Sequence, residues 1–99
     1  MAEPFASGDW HVTSGKEEEF IARWTEFLQW TRKTQPSLTS ASLLRDAEDP
    51  NHFLSFAEWD DAAARGSWKQ SDGFMQHFSA CRDLCDDMRG TDCDRVVAI

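Results

Sequence analysis

Trp68 and His77 carry the side chains in this sequence best suited to act on an aromatic molecule. An indole ring stacks on a flat substrate, and its N–H donates to a substrate oxygen. A neutral imidazole takes a proton from a phenol or ligates haem iron. Trp68 stands between Arg65-Gly66-Ser67 and Ser71-Asp72-Gly73, where a helical run weakens and then breaks. A large side chain at such a break is expected to face a cavity between helices and sheet. The chain holds seven Phe and five Trp but no Tyr, so rings to wall such a cavity are plentiful.

Other constellations say less. His77, Cys81 and Cys85 fall four residues apart along an expected helix face. Zinc takes four tetrahedral ligands, and three in a row on one helix rarely converge without a fourth from elsewhere. No metal is therefore expected, and the thiols read as small apolar fillers. A Cys–His nucleophile needs a third group to hold its base, and none is suggested. Asp83, Asp86, Asp87, Asp92 and Asp94 lack the glycine and terminal Glu of a calcium loop and read as a solvated face. Neither a phosphate-cradling glycine loop nor a GxSxG elbow occurs.

The elements that must position these residues are punctuated clearly. Ser14-Gly15-Lys16-Glu17 has the form of a capping box. Phe20, Trp24, Phe27, Leu28 and Thr31 follow at helical spacing, and Gln35-Pro36 ends the run, which predicts a helix over 15–33. Before it, 5–12 reads as a strand with Ala6, Gly8, Trp10 and Val12 on one face. After it, 38–45 and 52–59 are strand-like, joined by the polar turn from Asp46 to Asn51. Asp60 or Asp61 caps a second helical region running through Lys69. Phe74, Phe78, Cys81, Cys85 and Met88 then continue at helical spacing toward Gly90 as a cap, and 93–99 closes as a strand. The order is strand–helix–strand–strand–helix–strand. Two right-handed crossovers joined by a hairpin give an α+β, ferredoxin-like βαββαβ fold with a four-stranded antiparallel sheet. In the third strand Phe53, Ala57 and Trp59 alternate with Leu54 and Phe56, and the last carries Val96-Val97-Ala98-Ile99. Strands apolar on both faces need cover on both, which points to a second copy of the chain.

Ninety-nine residues suit one domain spanning 1–99. A formal net charge of −8 without a Lys/Arg cluster speaks against nucleic acid and anionic membrane surfaces as partners. The longest apolar run has four residues, far short of the ~20 of a membrane span, and the start has no secretory pattern. Three cysteines without framework spacing favour a reducing cytoplasm.

Trp59, then Trp68 after eight residues, then Ser71-Asp72-x-Phe74, resembles the signature of the antibiotic biosynthesis monooxygenase family. Gly15-x-x-x-Glu19-Phe20, Phe53-Leu54-Ser55-Phe56 and the βαββαβ order extend the likeness from about residue 5 to 99. The resemblance implies a dimeric α/β barrel, in which two sheets pack face to face. It also implies one of two activities. One branch oxidises anthrone-type polycyclic substrates to quinones with molecular oxygen and no cofactor. Here its Asn four residues before Trp68 is Ala64, and its Tyr six residues after is Phe74. The other branch binds and degrades haem. Trp68-x8-His77 reproduces a spacing of that branch, but its first-strand Asn falls near Gly8 or Asp9. The leading expectation is a cytoplasmic homodimer acting without a cofactor on a small polycyclic phenolic or anthrone-like substrate. Trp68 would orient the ring and His77 would be the base, with Trp10, Trp24, Phe27, Phe56, Phe74 and Phe78 as substrate-binding walls. The alternatives are a haem-degrading monooxygenase with haem as cofactor, and a catalytically silent dimer that binds an aromatic ligand or serves structurally.

Overall fold

A computed structural model describes residues 3–99. The chain runs β1 (Glu3–Val12), α1 (Glu17–Thr34), β2 (Leu38–Arg45), β3 (His52–Trp59), α2 (Ala62–Lys69), α3 (Asp72–Arg82) and β4 (Cys85–Arg95). The strands form one antiparallel sheet in the order β2-β3-β1-β4, the ferredoxin-like α+β arrangement.

The aromatic stripe of α1 decides which face the helices cover. Phe20, Trp24, Phe27 and Thr31 are buried, and Trp10, Phe53 and Trp59 meet them from the inner face of the sheet. Glu17 to Glu19 stand in the first turn and Arg32 and Lys33 in the last, each with a sign that favours the macrodipole. The capping box does not form. Gly15 takes a φ of +92°, and the Lys16 N–H donates to the Thr13 carbonyl at 2.9 Å. That turn delays the helix to Glu17 with Lys16 at its N-cap and no side-chain cap. The expected break after Lys69 separates α2 from α3. Asp61 caps the first by accepting from the Ala63 N–H at 2.9 Å. Ser71 caps the second by accepting from the Phe74 N–H at 3.2 Å.

The last third of the chain differs from the expectation. The helix stops at Arg82, and Cys85, Met88 and Gly90 lie in β4, so Gly90 caps nothing. The helical spacing of Cys85 and Met88 has a different cause. Val12 pairs with Cys85 but His11 with Asp87, so the register slips there and Asp86 is an extra residue. A bulge lets two residues three apart point to the same side, and both pack on the core. The apolar end is not strand either. β4 ends at Arg95, and Val96, Val97 and Ile99 are exposed beyond it. On β3 the two-faced reading holds: Phe53, Ser55 and Trp59 are buried while Phe56 is exposed, as is Leu44 on β2. No helix among the described residues is long and apolar enough to cross a membrane.

Candidate active site

Between α1, α2 and α3 and the inner face of the sheet lies a cavity of about 230 Å³. Its floor is open because two strands offer no side chain there. Gly8 and Gly90 face each other across β1 and β4, and both border the cavity. Gly8 has a second reason to be glycine. A Cβ at that position would stand 2.5 Å from Trp10 Nε1 and 2.6 Å from Ser55 Oγ. Those two atoms form a buried hydrogen bond, the indole donating to the hydroxyl at 3.0 Å.

Rings make most of the wall. Trp10, Trp24, Phe27, Trp68, Phe74 and Phe78 all line the cavity. Phe27 stacks on Trp68 with centroids 5.6 Å apart, and Phe74 meets Trp68 edge-on at 4.7 Å. Stacked and edge-to-face pairs of this kind hold rings in place beyond simple burial. Phe56 also borders the cavity, but it is 38% exposed on the outward alternation of β3.

The structure separates the two expected catalytic residues. Trp68 reaches the cavity with its ring, yet its N–H donates to Thr31 Oγ1 at 3.1 Å, and that hydroxyl in turn donates to the Phe27 carbonyl at 2.8 Å. The indole donor is therefore engaged within the protein rather than aimed at a substrate. His77 does not line the cavity. Its ring lies parallel to Phe27 at 6.0 Å and 5.0 Å from Trp30, so Phe27 stands between it and the space a ligand would fill. Haem finds no imidazole there for its iron, and the lining does not fit that group. The suggested His77–Cys81–Cys85 face also dissolves, since Cys85 belongs to β4. Burial pushes the Cys81 thiol up to about 12 and the Cys85 thiol up to about 11, which leaves both as neutral packing groups.

Three polar side chains escaped the sequence reading. Ser55 and Thr31 are buried hydroxyls on the wall, and Lys69 borders the cavity from the end of α2 with its ammonium paired to Asp92. Thr31 falls on the helical face read from the sequence, but that spacing does not mark it as a wall of the site, and Ser55 and Lys69 come from two other elements. Among the described residues the lining contains no Asp, Glu or His.

The sequence profile of antibiotic biosynthesis monooxygenases matches residues 6–82. The chain belongs to that family. Solved structures of similar shape place it alongside other proteins of this size. A point mutant of SnoaB, a cofactor-independent oxygenase from Streptomyces nogalater, superposes with a TM-score of 0.90 at 22% identity, covering 98% of this chain and 96% of that one. SnoaB itself gives 0.89 at 21%, with 100% and 98% covered. A conserved protein from Methanosarcina mazei Go1 gives 0.84 at 18%, with 94% and 92% covered. At these identities the likeness is one of fold. No curated protein matches the sequence significantly.

Proposed function

We propose that this member of the antibiotic biosynthesis monooxygenase family oxidises a small polycyclic phenol or anthrone-like compound with molecular oxygen, without a cofactor, as a homodimer. The observation that carries the reading is the ring-walled cavity, bordered at one end by Lys69, whose ammonium is held by Asp92. A flat aromatic substrate stacks on Trp68 and Phe27, and its oxygen lies toward Lys69. The substrate loses a proton to solvent, and the charge left on its oxygen is stabilised by the Lys69 ammonium, whose three donors let it keep Asp92 and reach the substrate together. The anion passes one electron to dioxygen, and the resulting radical and superoxide combine to form a carbon–oxygen bond. The peroxide then takes up a proton and loses water as its O–O bond breaks, leaving a carbonyl. One oxygen atom ends in the product and one in water, and the substrate supplies all the electrons. The protein contributes orientation and exclusion of bulk water. His77 has no part in this scheme, since Phe27 screens it.

The homodimer part of the proposal rests on the outer sheet face, where Leu44 is 51% and Phe56 38% exposed. A second reading, a ligand-binding dimer without catalysis, draws on the absence of any carboxylate or imidazole from the lining. An oxygen electrode separates the two. Purified protein with an anthrone and no added flavin or metal should consume oxygen. Lys69→Met should slow this by about 10²-fold, and Ala41→Phe, which fills the cavity from the edge strand, should abolish it. Binding of the anthrone without oxygen uptake would establish the silent reading instead.

A further inference from the structure

On the side of the sheet away from the cavity, Asp9, His11 and His52 bring one carboxylate and two imidazoles together. Their ligating atoms all lie within 4.8 Å of one another. Strand register does this: His11 and His52 are direct cross-strand partners on β1 and β3, and Asp9 stands two residues along β1 on the same face. The imidazoles stack with centroids 4.7 Å apart. Asp9 Oδ1 is 2.7 Å from His52 Nε2 and 3.3 Å from His11 Nε2. Tetrahedral ligands at zinc bond lengths stand about 3.3 Å from each other; the Asp9–His11 contact has that spacing and the Asp9–His52 contact must open, and one imidazole must turn out of the stack, whose planes lie 11° apart, for both nitrogens to face one ion.

A second feature is independent of the three. His52 Nδ1 lies 2.8 Å from Asp46 Oδ2, while the other Asp46 oxygen accepts from the Glu48 N–H at 2.9 Å. A carboxylate on the far ring nitrogen fixes tautomer and orientation, which is the usual outer-shell partner of a metal-bound histidine. Arg89 is the cross-strand partner of Asp9, yet among the described residues it forms no ion pair with it. In the single chain His11 and Asp9 are about half exposed, on the same sheet face as Leu44 and Phe56.

We infer that Asp9, His11 and His52 bind one divalent first-row transition-metal ion, with Asp46 as the positioning residue and the remaining coordination filled by water. Two imidazoles and one carboxylate suit zinc, cobalt or nickel rather than calcium or magnesium. The sheet separates this site from the cavity, so the ion ties β1 to β3 and takes no part in the proposed oxidation.

Calorimetric titration of metal-free protein with zinc tests this. One ion per chain should bind saturably, and zinc should raise the melting temperature because it binds the folded chain alone. His11→Ala, a surface change that leaves folding intact, and His52→Gln should each abolish both effects. Asp46→Asn should weaken binding about tenfold, while Cys93→Ser should leave it unchanged. Cobalt in place of zinc should show ligand-field bands without a thiolate charge-transfer band. Binding that survives His11→Ala, that disappears with Cys93→Ser, or that never saturates at one ion per chain would overturn the assignment.

Discussion

Trp68 shows how one side chain can serve core and cavity together. It is 7% exposed, packs on Phe27, Trp59 and Phe74, and donates to Thr31. Trp68→Ala should therefore destabilise the protein by about 3–5 kcal/mol. Trp68→Phe keeps a ring but loses the hydrogen bond, and should cost about 1–2 kcal/mol. Urea denaturation followed by circular dichroism reads both, and a wild-type midpoint for Trp68→Ala would contradict the packing described. The thiols make a second residue-scale prediction. Burial pushes the Cys81 thiol up to about 12 and the Cys85 thiol up to about 11 in the folded chain, from an ordinary 9.0. Above that ordinary value the unfolded chain releases thiol protons that the folded chain keeps, so the unfolding free energy falls as pH rises through the window from 9.0 to about 12. At pH 8 a thiol reagent should reach only exposed Cys93, and the other two only after denaturation. Rapid reaction of all three in native protein would contradict this.

At the scale of elements, α1, β2, β3 and the split between α2 and α3 were legible because each has its own period and stop signal. Phe20-Trp24-Phe27-Thr31 and Pro36 define the long helix. β4 was not legible, because the bulge at Asp86 gives Cys85 and Met88 the spacing of a helix face. The cavity was half legible. Its rings could be named from composition and spacing, but its floor depends on Gly8 meeting Gly90 and its hydroxyls on Ser55 meeting Trp10, which only strand register provides. The same register gathers Asp9, His11 and His52 from distant parts of the chain. Gly8 gives the element-scale prediction. In Gly8→Ala the added methyl collides with both partners of the Trp10–Ser55 hydrogen bond. Breaking a buried bond of this kind leaves unsatisfied groups worth about 1–3 kcal/mol, so the melting temperature should fall and ligand uptake with it. Retention of both would mean that the floor is looser than the contacts indicate.

At the scale of the molecule, the sheet has one face under helices and one in water, and the second still carries Leu44 and Phe56. Large apolar side chains exposed on one sheet face point to an interaction surface. Light scattering after gel filtration should report twice the mass of one chain, and Phe56→Glu should return it to a monomer; a wild-type monomer at micromolar concentration would refute the homodimer. The central claim is that the cavity directs oxygen onto an aromatic substrate with no help from a cofactor. Isotope-labelled dioxygen tests it most directly, using chelator-treated protein, an anthrone substrate and mass spectrometry of the quinone. The account predicts one labelled oxygen atom in each product molecule, formed at an unchanged rate after chelation. Product lacking the label, or formed only when flavin, haem or metal is added, would contradict it.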